Sequence, residues 1–216
     1  MKTLTKEMQA SLTPGKAVEI LRKGNERFVN NLKANRNLLE QVNETSDGQH
    51  PFAIILSCID SRTSAELIFD QGLGDIFSVR IAGNVLNEDI LGSMEFACKL
   101  AGAKMIVVLG HTKCGAIKGA CDHKEMGNLT TLLNKIKPAI DFEKTILDNR
   151  DSSNSEFVEK VAAINVELTV NAIMERSPIL NEMIKKGEIG ILGGIYDVTT
   201  GVVEFQKELV EEPLFV

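Results

Sequence analysis

The chain has 216 residues, of which 44% are hydrophobic and 25% charged, a balance typical of an ordinary globular protein. Its 24 Lys and Arg residues face 30 Asp and Glu residues, and the formal charge of -6 without a dense basic run argues against nucleic acid or an anionic membrane as a partner. No apolar run approaches the roughly 20 residues of a membrane-spanning helix, and the first residues lack the apolar stretch of a secretory signal, so we expect a cytoplasmic protein.

Strand-like runs alternate with helix-like segments, which predicts an α/β fold with a mostly parallel central sheet flanked by helices. A single domain over residues 1–216 is expected, with an N-terminal helical arm at about 14–33. Pro14 suits the first helical position, and Leu21 and Leu32 fall near one face of that helix. The predicted strands cover residues 52–56, 76–81, 105–109, 189–196 and 202–205.

The last two strands are expected to form an antiparallel hairpin at the sheet edge, because a turn at 199–201 separates them. Between the strands, helical spacing and Pro or Gly boundaries predict several helices. These helices cover residues 89–101, 115–120, 129–147 with a break or kink at Pro138, 156–174 and 178–186.

Two short segments place metal-ligand side chains at the carboxyl ends of predicted strands: SCIDSR at 57–62 and GHTKCGA at 110–116. In open α/β sheets the loops at these ends form the crevice that binds ligands, so the two segments can converge. They would bring together the thiols of Cys58 and Cys114 and the imidazole of His111. This set suits zinc and leaves a fourth tetrahedral position open, as in catalytic zinc sites.

Asp60 can either complete such a zinc site or lie beside it. Two thiolates already neutralise the ion, so a third anionic ligand would make a poor Lewis acid. Arg62 can hold Asp60 away from the metal as a bidentate partner, and Asp60 would then accept a hydrogen bond from a zinc-bound hydroxide. From the residues alone, two alternatives to a metal site remain. Asp60 and Arg62 could form a surface ion pair only, and Cys58 and Cys114 could be buried core residues.

Other candidate residues are assigned no chemistry. Cys98 is expected to be a small buried residue in a helix, and the proximity of Cys121 to His123 is interpreted as incidental. Gly72 and Gly74 precede a strand and lack the later glycine of a dinucleotide fingerprint, so nucleotide binding is only weakly supported.

Four blocks of the sequence resemble, in order and spacing, the motifs of β-class carbonic anhydrases. The blocks are CIDSR at 58–62, ELIFDQGLGDIFSVRIAGNV at 66–85, VVLGHTKCGA at 107–116 and GGIYDVTTGVVEF at 193–205.

The resemblance implies the β-carbonic anhydrase fold and one zinc ion per subunit, held by Cys58, His111 and Cys114. It implies that Asp60 and Arg62 are the catalytic dyad. The implied reaction is the reversible hydration of carbon dioxide to bicarbonate and a proton by zinc-bound hydroxide.

The resemblance also implies that Gln71 contacts substrate across a subunit boundary. It implies a homodimer as the minimum unit, with the N-terminal helix lying across the neighbour, and larger assemblies such as tetramers are common in the family. Some bacterial members hold a non-catalytic bicarbonate with a Trp at the position of Ile55, and in them Asp closes the zinc site. Because this chain has no Trp, we expect an enzyme without that switch, with Asp60 paired to Arg62 near neutral pH.

Two other functions remain open at this stage. A hydrolase of carbon disulfide or carbonyl sulfide with the same fold would differ in access to its pocket. A non-catalytic protein with a structural zinc would be closed permanently by Asp60, and the presence of Arg62 counts against it.

Overall fold

The computed structural model describes residues 3–206, and its centre is a five-stranded sheet with the strand order β2-β1-β3-β4-β5. The strands are β1 (Ala53–Ser57), β2 (Ile76–Arg80), β3 (Met105–His111), β4 (Gly190–Tyr196) and β5 (Val203–Phe205). The first four are parallel to one another, and β5 pairs antiparallel with β4. This confirms the predicted fold class, including the antiparallel hairpin at the C-terminal edge.

Helices surround the sheet on both faces. They are α1 (Lys6–Ser11), α2 (Pro14–Val29), α3 (Leu38–Glu44), α4 (Ala65–Ile68), α5 (Glu88–Glu95), α6 (Gly115–Cys121), α7 (Gly127–Asn134), α8 (Lys137–Phe142), α9 (Ser155–Arg176) and α10 (Pro178–Lys185). A 3-10 turn, Ala82–Asn84, follows β2, and α5 continues into a π-helical segment, Phe96–Leu100. Within residues 3–206, no helix combines the length and the apolar character needed to cross a membrane.

The central strands β1, β3 and β4 are buried on both faces, which explains why they are continuous apolar runs rather than alternating ones. On one face, Ile54 of β1 and Ile106 of β3 pack against α5, α9 and α10. On the other face, Ile55 and Val107 pack with α2 and α4. Alternate residues of each strand therefore enter two separate cores.

The N-terminal helix ends earlier than the predicted limit near residue 33. Its last helical residue is Val29, and Asn31 has a left-handed φ of 54°, which terminates the helix. Leu32 is therefore 67% exposed, so its predicted place on the apolar face is wrong. The buried face, which includes Leu21, packs on the chain's own sheet.

The predicted helix over 129–147 is divided into α7 and α8. Pro138 lies in the first turn of α8, which confirms the predicted break. Helix α8 ends at Phe142, so the prediction of helix over 143–147 is wrong. The Glu143 carboxylate accepts hydrogen bonds from the backbone N–H groups of Thr145 and Ile146, at 2.8 and 3.2 Å. These bonds to the residues that follow compete with continuation of the helix.

This turn predicts a pH-dependent contribution to stability. The Glu143 carboxylate accepts hydrogen bonds from the Thr145 hydroxyl and from Arg150 Nη1 at 3.0 Å. The hydrogen bond from Thr145 is the largest of the effects that lower the pKa of Glu143, to about 2. An unfolded glutamate has a pKa of about 4.3, so the stabilisation is complete above that pH and is lost as the pH falls toward about 2.

We therefore expect Glu143→Gln to lower the free energy of unfolding near pH 7, with the difference from the parent narrowing as the pH falls from about 4.5 to about 2. Urea unfolding at several pH values measures this difference. Glu156→Gln is the control, because Glu156 is an exposed residue in a helical ion pair and its loss should change little. A difference that stays constant across the pH range would contradict the prediction.

Candidate metal centre

Three side chains that can bind a metal meet at the carboxyl end of the sheet. Cys58 follows β1 directly, His111 is the last residue of β3, and Cys114 caps the N-terminus of α6. Because β1 and β3 are parallel neighbours with Ser57 beside Leu109, both chain segments leave the sheet at the same place. The ligand atoms of the three side chains lie within 4.8 Å of one another, and all three residues are buried.

The orientation of His111 presents one ring nitrogen to this cluster. Its Nδ1 lies 2.9 Å from the carbonyl oxygen of Thr112, so Nδ1 carries the proton and donates it. The opposite nitrogen, Nε2, is buried and has no hydrogen-bond partner among residues 3–206. A buried nitrogen with a free lone pair, beside two sulfurs, is an arrangement that metal binding satisfies.

The spacing of the sulfurs also fits a metal ion. Cys58 Sγ lies 4.0 Å from Cys114 Sγ. Two thiolates bound to a tetrahedral zinc at about 2.3 Å would lie about 3.8 Å apart. Small rotations of the side chains therefore suffice to coordinate the ion.

Electrostatics of the two thiols favour a cation. The neighbouring Cys114 thiol lowers the pKa of Cys58, and the N–H of Gly83 lowers it further. The neighbouring Cys58 and burial both raise the pKa of Cys114. A divalent cation bound by both sulfurs would displace the proton between them.

Asp60 lies at the edge of this cluster and is held by Arg62. Arg62 Nε donates to Oδ1 at 2.9 Å, Nη2 donates to Oδ2 at 2.8 Å, and the backbone N–H of Arg62 donates to Oδ1 at 3.0 Å. The Arg62 side chain thereby holds the pKa of Asp60 well below its usual range. Oδ2 lies 4.0 Å from His111 Nε2, so the carboxylate is beside the cluster while bonded to Arg62.

Arg80 supports this loop and was not recognised from the sequence. Its Nε donates to the carbonyl of Cys58 at 3.0 Å, and its Nη2 donates to the carbonyl of Asp60 at 2.6 Å. Arg80 reaches both because it ends β2 in register with Ser57. An arginine at the end of a strand is a weak signal, since only the pairing of β1 with β2 identifies its partners.

Other candidate residues lie outside the ligand cluster. Gln71 Nε2 donates to the carbonyl of Phe69 at 2.5 Å, and its contact across a subunit boundary stays a prediction. Cys98 is buried, and its burial raises the pKa of the thiol to about 12. Cys121 is also buried, whereas His123 is exposed, and neither belongs to the Cys-His-Cys cluster.

A parallel α/β sheet with a buried Cys-His-Cys cluster at its carboxyl end defines the class of the protein as a candidate metalloenzyme. The family model described as carbonic anhydrase matches residues 53–203. Carbonic anhydrase 2 of Mycobacterium tuberculosis is 36% identical over 194 residues, which are 87% of this chain and 90% of that protein.

Solved structures agree with this match. The β-carbonic anhydrase CafA of Aspergillus fumigatus superposes with a TM-score of 0.67 at 28% identity, covering 81% of this chain and 83% of that one. One of two tetrameric β-carbonic anhydrases from Sordaria macrospora has a TM-score of 0.64 at 27% identity, covering 76% and 83%. The chain belongs to the β-class carbonic anhydrase family and is a lyase.

Proposed function

We propose that this carbonic anhydrase hydrates carbon dioxide reversibly to bicarbonate and a proton, with one zinc ion per subunit held by Cys58, His111 and Cys114. The observation that carries the proposal is the buried Cys-His-Cys cluster, in which His111 Nε2 faces a carboxylate fixed by Arg62. Family membership supports the reaction, and the donor set supports zinc.

The donor set suits a catalytic rather than a closed zinc site. Two thiolates and a neutral imidazole would balance the charge of the ion, and three protein ligands are typical of catalytic rather than structural zinc sites. When bound, zinc supplies a Lewis acid that makes water acidic enough to act as a nucleophile near neutral pH. The hydrogen bond from Nδ1 to the Thr112 carbonyl keeps His111 in the tautomer that offers Nε2 to the ion.

Asp60 is assigned the role of hydrogen-bond acceptor for the attacking water. An ionised carboxylate can only accept, so it orients the water with a lone pair directed at carbon dioxide. Arg62 occupies both oxygens of Asp60, which holds the carboxylate beside the Cys-His-Cys cluster and away from direct contact with an ion bound there. We therefore propose that the site is open near neutral pH.

The position of Ile55 supports an enzyme without a bicarbonate switch. Ile55 is fully buried in β1 and packs in the apolar core on the α2 face of the sheet. A polar anion has no partner in such surroundings, and its transfer there would be unfavourable.

Assembly and location are also part of the proposal. We propose a homodimer at least, in which Gln71 contacts the substrate of the neighbouring subunit, and the related structure described as tetrameric supports assembly into larger units. A cytoplasmic location is supported by the four cysteines, all of which are free thiols, because a reducing compartment preserves thiol ligands.

The test is to quantify zinc per chain and then to measure carbon dioxide hydration by stopped flow at about pH 7 and about pH 8.5. We expect about one zinc per subunit and fast hydration at both pH values. Hydration confined to the higher pH would mean that Asp60 closes the site. Zinc without hydration would overturn the proposal in favour of a structural ion or, if carbon disulfide or carbonyl sulfide is hydrolysed, of the alternative hydrolase.

A further inference from the structure

A chain of two hydrogen bonds links helix α9 to the sulfur of Cys58. Asn165 Nδ2 donates to the carbonyl oxygen of Gly83 at 2.9 Å. The N–H of the same glycine donates to Cys58 Sγ at 3.4 Å. Asn165 is 4% exposed, so its amide makes this bond away from solvent.

Gly83 is a residue whose backbone needs external restraint. Its φ of 68° and ψ of 17° are left-handed, which suits glycine. A Cβ at this position would lie 2.8 Å from Ile136 Cδ1 and 3.3 Å from Ala116 Cβ, so a larger residue would combine backbone strain with displacement of the Ile136 side chain. Glycine has wide conformational freedom, and the orientation of its N–H therefore depends on the partners that hold it.

Asn165 occupies a helix position at which an apolar residue would otherwise be expected. Its neighbours on the buried side of α9, Val161, Ala162 and Val166, belong to the hydrophobic cores. Burying an amide among such side chains is unfavourable unless it is hydrogen-bonded. The bond to Gly83 compensates for this burial and connects the residue to the metal centre.

We propose that Asn165 is a positioning residue for the metal ligand Cys58, acting by fixing the Gly83 carbonyl so that the Gly83 N–H points at the Cys58 sulfur. An N–H···S bond orients the thiolate and withdraws some of its charge, which tunes how strongly the sulfur donates to the ion. The inference rests on the proposed function only in that Cys58 must bind the metal.

Three variants separate this role from general packing. Asn165→Leu removes the donor at similar size, whereas Asn165→Gln retains an amide donor on a longer side chain. The cleft of about 300 Å³ beside Asn165, which Leu168 and Thr169 also line, has room for the longer group. Thr169→Val is the matched control, because Thr169 is a buried polar residue one turn further along the same cleft.

Two measurements report on the metal site rather than on folding. Chelator competition gives the dissociation constant for zinc, and we expect it to rise about 10- to 100-fold in Asn165→Leu, as for other partners of metal ligands. In cobalt-substituted protein, the sulfur-to-cobalt charge-transfer band should shift in Asn165→Leu. It should return toward the parent position in Asn165→Gln and stay at the parent position in Thr169→Val.

The inference is overturned if folded Asn165→Leu has a band at the parent position and a zinc dissociation constant within about twofold of the parent. It is also overturned if Thr169→Val shows the same changes, since packing would then explain them. If Asn165→Leu does not fold, Asn165→Ala lacks the donor without adding bulk, and the same criteria apply to it. A parent protein that binds no zinc would instead contradict the proposed function, so the two failures are distinguishable.

Discussion

Replacing Cys114 by serine is expected to remove most of the zinc and to lower kcat/KM for carbon dioxide hydration by more than about 100-fold. Removing a residue that only hydrogen-bonds to a metal ligand typically lowers metal affinity or activity about 10- to 100-fold, and removing the ligand itself should lower them further. A serine hydroxyl stays protonated near neutral pH, so Cys58 and His111 alone would hold the ion. Metal analysis and stopped-flow hydration of the purified variant measure both effects.

Cys121→Ala is the matched control for Cys114→Ser. Cys121 ends the same helix that Cys114 caps, and it is equally buried. Burial raises the pKa of its thiol to about 11, so it is a neutral packing group near pH 7. This variant should retain zinc and activity with only a loss of stability. Parent-like zinc and activity in Cys114→Ser would contradict the assigned ligand set.

The second large effect is expected for Arg62→Gln, which should lower kcat/KM about 100-fold while zinc content stays at the parent level. A 100-fold loss is the lower end of the rate enhancement that a positioned acid–base group such as Asp60 typically contributes, about 100- to 10,000-fold. Without the bidentate partner, the Asp60 carboxylate would be free to move away from the Cys-His-Cys cluster or to bind the ion itself.

A change in the ionisation of Asp60 does not explain the expected loss of activity in Arg62→Gln. Removal of Arg62 lets the pKa of Asp60 rise toward the ordinary value of about 3.9, which is still far below pH 7. Asp60 therefore remains ionised, and the loss at about pH 7 reports its position rather than its charge. The control is Lys113→Gln, which removes a positive charge from an exposed residue between His111 and Cys114. We expect this variant to hydrate carbon dioxide at the rate of the parent.

Combining Arg62→Gln with Asp60→Asn tests whether the two residues act as a unit. Asp60→Asn alone should also reduce kcat/KM, because the carboxylate acceptor is lost. If Arg62 acts only through Asp60, the double variant should be no slower than Asp60→Asn. Losses that multiply in the double variant would show that Arg62 has a separate role.

The ends of the helices were less predictable from the sequence than the position of the Cys-His-Cys residues. Helices α1 and α3 were missed because each is short, although Thr5 and Asn37 cap them through side-chain bonds. The end of α8 was misplaced because Glu143 bonds to the backbone that follows it, a choice that helical periodicity does not report.

The sequence by itself was enough to predict the class of fold and the convergence of the Cys-His-Cys side chains. Short apolar runs alternating with helical segments indicate a parallel sheet, and such a sheet gathers the ends of its strands on one edge. Cys58 and His111 stand at the ends of these runs, and Cys114 follows in the next loop, so the pattern predicted that the three side chains converge. The spacing of Asp60 and Arg62 within one loop likewise allowed their ion pair to be predicted.

Only the tertiary structure decided what surrounds those residues. Arg80 holds the loop of Cys58 from 22 residues away, and Asn165 reaches Gly83 across 82 residues. Both contacts depend on strand order and on the packing of α9 against the sheet, which arise from the chain as a whole. Periodicity and spacing describe neighbours along the chain, whereas these hydrogen bonds join residues that become neighbours only when the core is formed.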